Sequence, residues 1–215
     1  MKQKTFGIVG GGQLGRMLTI AAHDLGFKTL ILDPTPQSPA GQLSDEQIIG
    51  DFKDPKQIEK LAKKVDYLTF EIEGANAQTL KKLKKGGKQV APLGETLEII
   101  QDKLLQKEHL KKTKIPSPNF ATVNDEEDIK TAIKAFGLPI VLKARFHLYD
   151  GRGNAVINKP SEIKSAMNKL KGRDLYIEEF VNFSKEIATQ IVKDHKGNIK
   201  VYPIVETIQK NNICH

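Results

Sequence analysis

A β-branched run, residues 5–9, ends in three consecutive glycines, and the chain then enters a helix-patterned stretch over residues 13–25 that closes at Gly26. A strand that turns this tightly into a helix must send the chain back across the sheet, so its next neighbour is expected to be parallel. The same grammar continues. Residues 28–33 read as a second strand, and the prolines between Pro34 and Gly41 forbid regular structure. Ile48 and Ile49 make a short strand. Asp54-Pro55 is an N-cap followed by a proline in the first helical position, and the helix to Lys64 leads into a strand over residues 67–70. The first hundred residues are therefore expected to form a doubly wound parallel α/β sheet.

Residues 95–112 read as helical, and Ile115-Pro116-Ser117-Pro118 marks a change of domain. Beyond it a strand is predicted over residues 120–123, a helix over 125–136 capped by Gly137, and a strand over 140–144. A glycine-containing loop leads to a strand near 155–157, a helix over 161–170 and an extended run over 175–179. Residues 186–193 and 200–208 pair as a hairpin turning at 195–198.

With 215 residues, 39% of them hydrophobic, the chain can bury a sizeable core. No apolar run is long enough to span a bilayer, and the opening segment reaches glycine too early for a signal peptide, so a cytoplasmic, membrane-free setting is expected. The single cysteine, Cys214, excludes an internal disulfide framework and a zinc cluster. A net charge of +8 admits an anionic substrate or a solvated lysine surface, and the lysines at 81, 82, 84, 85 and 88 fit the latter. Aromatics at 6% and no tryptophan leave nucleic acid without stacking platforms, so no nucleic-acid partner is expected.

Gly10-Gly11-Gly12-Gln13-Leu14-Gly15 follows a strand and opens a helix, so its backbone N–H groups can face an anion. Charge at such a helix start is worth about 0.3 to 1 kcal/mol, which positions a ligand without holding it unaided. The glycines can equally serve only a tight turn and close helix packing. Asp33 closes the second strand, where a dinucleotide-binding fold keeps a ribose-gripping carboxylate. It can also simply start the turn into Pro34. On these residues alone a Rossmann-type dinucleotide reading leads.

A second loop follows Lys143: Tyr149, Asp150, Gly151, Arg152, Gly153 and Asn154 place two glycines and a cation between strands. This suits a cover over a triphosphate with Lys143 as a point charge, or an ordinary hairpin with an Asp-Gly turn. Glu178, Glu179, Phe180 and Val181 end a buried-looking strand, and Glu186 lies on the next. Such a strand can meet a purine edge and ribose hydroxyls, although carboxylates at a strand end are also plain solvation.

Taken in order, residues 10–17 (GGGQLGRM), Asp33 with Pro39-Ala40, Phe70-Glu71-Ile72-Glu73, Gln101-Asp102-Lys103, Lys143, residues 149–153 (YDGRG), residues 178–181, Glu186 and residues 212–215 (NICH) resemble the landmarks of the 5-(carboxyamino)imidazole ribonucleotide synthases, ATP-grasp ligases of purine biosynthesis. The resemblance implies a pre-ATP-grasp domain over residues 1–100, a first ATP-grasp lobe over 101–175 and the opening of a second lobe over 176–215. It implies ATP-dependent carboxylation of 5-aminoimidazole ribonucleotide with bicarbonate. Asp150 would be the catalytic acid–base and Tyr149 its orienting partner. ATP would be met by Lys103, Lys143, Leu148 to Asn154, Glu178, Glu179, Phe180, Val181, Glu186 and Gln209. The ribonucleotide would be met by Gly10, Gly11, Gly12, Gln13, Leu14, Gly15, Glu71 and Glu73, the two glutamates sharing one face of an extended segment.

Two stretches depart from the family pattern. Phe146-His147-Leu148 stands where a threonine and two glycines are usual, implying a stiffer loop, and Gln209 stands where a histidine is usual. Family members continue past the Ile-Cys-His landmark with their magnesium ligands, so no metal residue is expected within these 215 positions although the activity uses Mg2+. The resemblance also implies a homodimer. It implies a chain that is inactive alone and only marginally folded beyond about residue 115, its free strand edges prone to aggregate. Besides the dinucleotide-binding reading, a catalytically silent nucleotide-binding remnant is the remaining alternative.

Overall fold

The computed structural model describes residues 3–146 and 153–210, and the backbone of 213–214. Contacts divide the chain into two compact units, Met1–His109 and Leu110–His215.

The first unit runs β1 (Thr5–Val9), α1 (Gln13–Asp24), β2 (Lys28–Asp33), β3 (Glu46–Ile49), α2 (Pro55–Lys64), β4 (Tyr67–Phe70), α3 (Ala77–Lys85), β5 (Gln89–Val90), α4 (Gly94–Gln101) and most of α5 (Lys103–Lys112), whose last turn belongs to the second. The five strands are parallel in the order β3-β2-β1-β4-β5, the doubly wound arrangement. Period-two alternation sends Val9, Leu30 and Leu32 into the main core, where Ile58, Leu61 and Ala62 of α2 and Ala77 and Leu80 of α3 meet them. Ile8 and Ile31 face the other way into a smaller cluster with Ala40. The order reverses at β1, so β2 and β4 flank it and the chain leaves its carboxyl end between them.

Local chemistry sets the helix ends. The Asp54 side chain accepts the N–H of Lys56 ahead of Pro55, and Asn76 accepts the N–H of Thr79. Gly26, at φ +80°, lets the chain turn from α1 into β2. The predicted helix over residues 95–112 is two helices: Asp102 adopts extended angles (φ −111°, ψ 106°) and ends α4. Its Oδ1 then accepts the N–H of Leu104 at 3.0 Å, starting α5 anew.

The second unit contains β6 (Phe120–Val123), α6 (Glu126–Phe136), β7 (Ile140–Ala144), β8 (Asn154–Ile157), α7 (Ile163–Lys169) and β9 (Leu175–Glu179). These strands form an antiparallel sheet in the order β6-β9-β7-β8. Asp125 caps α6 through a reciprocal capping box with Asp128, and Gly137 ends it at φ +81°. One sheet face is apolar: Ile140, Leu142, Ile157, Leu175 and Ile177 pack on Ile129 and Ala132 of α6 and Ile163 and Ala166 of α7. Opposite pairing of Lys143 with Tyr176 and of Val141 with Glu178 puts those four on the other face.

After β9 come β10 (Glu186–Ala188), β11 (Ile191–Lys193), β12 (Ile199–Val201), β13 (Val205–Thr207), β14 (Gln209–Lys210) and β15 (Ile213–Cys214). β10 pairs with β13 and β11 with β12, as a hairpin turning at Gly197 (φ +88°). Ala188 faces Val205 and Ile191 faces Val201, so residues 189–190 oppose residues 202–204, a bulge that accommodates Pro203. Ile187, Ile191, Val201, Ile204 and Val205 are all exposed. Beyond residue 115, burial continues through β9, and the run of exposed residues begins at Phe180.

Candidate functional site

In the first unit the glycine loop leaves the carboxyl end of β1. Gly10 sits at φ +102°, and a Cβ there would lie 2.6 Å from Glu71 Oε1. A Cβ on Gly15 would lie 2.6 Å from the Gly10 carbonyl, so the turn and the helix approach both require glycine. The loop amides have partners within the protein. Gly11 N–H donates to Asp33 Oδ2 at 2.8 Å, and Gly12 N–H donates to Glu71 Oε1 at 3.1 Å. The other oxygen of Asp33 accepts the N–H of Thr35 at 2.8 Å, closing the turn past Pro34. Of the two roles open to Asp33, the geometry supports the turn and adds a brace on the loop. Gln13 and Leu14 are exposed at the start of α1, which has no side-chain cap.

Glu71 follows β4, anchored by its N–H on the Val9 carbonyl at 3.0 Å. Burial pushes its carboxyl above the ordinary range; the Gly12 N–H opposes this, and the Asp33 charge adds to it. Glu73 lies exposed in the following turn, where its carbonyl accepts from Gln101 Nε2 at 2.6 Å. Lys103 opens α5, directly after the Asp102 cap.

In the second unit the non-core face of the sheet carries a buried carboxylate. Glu178 accepts from Lys143 Nζ at 2.7 Å and from the Tyr176 hydroxyl at 2.9 Å. The Glu178 side chain is 6% exposed and that of Lys143 25%. Glu179 points elsewhere: its carboxylate accepts from Asn119 Nδ2 at 2.8 Å, tying β9 to the start of β6. Phe180 and Val181 follow, both exposed. Gly153 and Asn154 begin the return strand; the Gly153 carbonyl accepts the Ala144 N–H at 2.8 Å, and Asn154 faces Lys143 across the ladder. Leu148, Tyr149, Asp150, Gly151 and Arg152 lie outside the described residues.

On the hairpin, Glu186 and Gln209 come together. Gln209 Nε2 donates to Glu186 Oε1 at 2.7 Å, and the Thr207 hydroxyl donates to the same oxygen. These donors, Thr207 first, hold the Glu186 carboxyl below its usual range. Thr207, Tyr176 and Asn119 were absent from the sequence-derived site. Tyr176 had a legible signal, since its place two residues before Glu178 on a strand puts both on one face.

Two family models cover almost the whole chain: the ribonucleotide synthetase preATP-grasp domain matches residues 3–101, and the ATP-grasp domain matches residues 108–215. The phosphoribosylaminoimidazole carboxylase of Schizosaccharomyces pombe is 47% identical over 216 residues, covering 100% of this chain and 39% of that protein. The N5-carboxyaminoimidazole synthetase of Staphylococcus aureus, solved with ADP, superposes with a TM-score of 0.94 at 31% identity, over 100% of this chain and 57% of that one. The Aspergillus clavatus enzyme, solved with ADP and 5-aminoimidazole ribonucleotide, gives 0.90 at 35% identity, over 99% of this chain and 55% of that one. The chain thus spans about two-fifths of the length of the S. pombe relative.

Proposed function

The chain belongs to the ATP-grasp family, with a ribonucleotide-synthetase type of pre-ATP-grasp domain ahead of it, and from that premise we propose that it serves the ATP-dependent carboxylation of 5-aminoimidazole ribonucleotide. Bicarbonate oxygen attacks the γ-phosphorus of ATP and ADP leaves, giving carboxyphosphate. The exocyclic amine then attacks the carboxyl carbon, either of carboxyphosphate itself, whose C–O bond to phosphate breaks, or of carbon dioxide released from it along with phosphate, and the amine proton passes to a base. Positioning and charge neutralisation dominate phosphoryl transfer, and water must be kept from the acyl phosphate.

The observation that carries this reading is Lys143, held by Glu178 on the sheet face opposite the core, a fixed cation for a polyphosphate. The strand end at Glu178, Glu179, Phe180 and Val181 would meet the adenine and ribose, with Lys103, Gly153, Asn154, Glu186 and Gln209 as further nucleotide contacts. Gln13, Leu14, Gly15 and Glu71 would face the ribonucleotide, with Glu73 beside them. The dinucleotide alternative is disfavoured because the Gly11 and Gly12 amides, which would cradle a pyrophosphate, are bonded to Asp33 and Glu71.

Asp150 is assigned the proton transfers, with Tyr149 orienting it. Asp150→Asn in a full-length relative should abolish carboxylation while ATP still binds, and near-normal carboxylation would remove Asp150 from the role. Mg2+ is proposed to accompany ATP on the family resemblance alone; among the described residues no three His, Cys, Asp or Glu side chains gather as a metal site requires. A homodimer belongs to the same proposal on the family resemblance alone, and a cytoplasmic setting on the sequence reading; among the described residues no helix is long and apolar enough to cross a membrane. Thermal-shift titration with ATP, 5-aminoimidazole ribonucleotide and NAD tests the whole reading: the first two should raise the melting temperature, and stabilisation by NAD alone would overturn it.

A further inference from the structure

Tyr176 is 2% exposed, and its hydroxyl donates to Glu178 Oε1 at 2.9 Å while Lys143 donates to Oε2 at 2.7 Å. The three side chains belong to one face of one sheet. Tyr176 and Glu178 are two residues apart on β9, and Lys143 lies directly across from Tyr176 on β7, reaching diagonally to the carboxylate. A buried carboxylate held by one donor can turn about its last torsion and carry its lysine with it. Donors on both oxygens leave it a single orientation, and the lysine stem is then fixed by a phenol that is itself packed.

We propose that Tyr176 is a positioning residue: its hydroxyl orients Glu178, and Glu178 in turn fixes the Lys143 ammonium where the nucleotide site needs a stationary cation. The proposal deepens the ATP reading and rests on it for its function. The relay Tyr176–Glu178–Lys143 itself stands on the geometry. The hydroxyl makes no contact with the polyphosphate in this scheme; it keeps the cation from following a mobile carboxylate.

Competitive acylation of lysines on the 215-residue chain, read by mass spectrometry, tests both parts. Lys130, paired with Glu126 and Glu127 on α6, is the internal reference. In Tyr176→Phe the ring still fills its space but the hydroxyl's hydrogen bond to Oε1 is lost, so the carboxylate holds Lys143 less tightly. Lys143 should then acylate roughly three- to tenfold faster relative to Lys130, the fold-change expected from one charge-assisted hydrogen bond acting at one remove. In a Glu178→Gln background the same Tyr176→Phe change should have no further effect on Lys143, because the hydroxyl acts through the carboxylate. An unchanged Lys143 rate in Tyr176→Phe, an equal effect in the Glu178→Gln background, or a parallel rise at Lys130 signalling general unfolding would each overturn the proposal. ATP added to the wild-type chain should protect Lys143, and the protection midpoint should move to higher ATP in Tyr176→Phe. Loss of ATP protection with the Tyr176 effect intact would sink the nucleotide reading and leave the relay standing.

Discussion

The Asp33 carboxylate holds the Gly11 N–H at 2.8 Å, joining the end of β2 to the loop that leaves β1. With Oδ1 engaged by Thr35, the side chain is an acceptor twice over and is only 9% exposed. An amide at this position offers one acceptor where two are needed and turns an NH2 group toward an N–H. Asp33→Asn should therefore destabilise the first unit by about 1 to 3 kcal/mol. A fall in the urea midpoint at constant slope would verify it; an unchanged midpoint would mean the brace is dispensable.

Glu71 gives a pH signature of the opposite sign to ordinary carboxylates. Its carboxyl is raised, chiefly by burial, so the fold favours the neutral form. That contribution is fully present below the unfolded pKa and is lost as pH rises through the raised folded value. Glu71→Gln, which keeps an acceptor for the Gly12 N–H, should melt higher than wild type at neutral pH and converge with it below about pH 4. The same substitution should weaken 5-aminoimidazole ribonucleotide binding, measured by calorimetry.

Glu186 behaves conventionally. Its carboxyl is lowered by Thr207 and Gln209, so its contribution to stability is present above the unfolded pKa and lost as pH falls through the lowered one. In Thr207→Val the Glu186 carboxyl should titrate closer to its ordinary range by NMR. ATP affinity should fall roughly threefold to tenfold, the scale of one hydrogen bond. A wild-type titration curve in Thr207→Val would show that Gln209 alone sets it.

The hairpin should be the first segment lost to protease. Limited digestion is expected to cut after Phe180 and leave β9 with its sheet, because the buried cluster of the second unit ends at Ile177. Ile204, 68% exposed, lies in the bulge; Ile204→Lys should lower light scattering on concentration without moving the melting transition. Protection through to residue 210 would contradict the first expectation.

Strands 5–9, 28–33 and 140–144 were legible because their β-branched runs stop at Gly10, Pro34 and the loop after Ala144, where propensity and punctuation agree. The α3 helix and the β5 strand were not. Lysines at 81, 82, 84 and 85 read as a solvated surface and hide a narrow buried stripe of Ala77 and Leu80. The break at Asp102 carries no glycine or proline, and it shows only in the residue's extended backbone and its capping bond. Site residues on one element could be found by alternation. The meeting of Lys143 with Glu178, and of Glu186 with Gln209, depends on strand register across many intervening residues, which a single sequence does not encode locally.

Because β1 lies between β2 and β4, the glycine loop and Glu71 leave neighbouring strand ends, a meeting point drawn by connectivity alone. The location of that meeting point is therefore inherited with the winding of the chain, while its chemistry is written in the loops. Where Gln13, Leu14 and Glu71 face the ribonucleotide as proposed, substitutions there would re-specify the guest without moving the strands, which makes loop exchange the route to laboratory re-targeting.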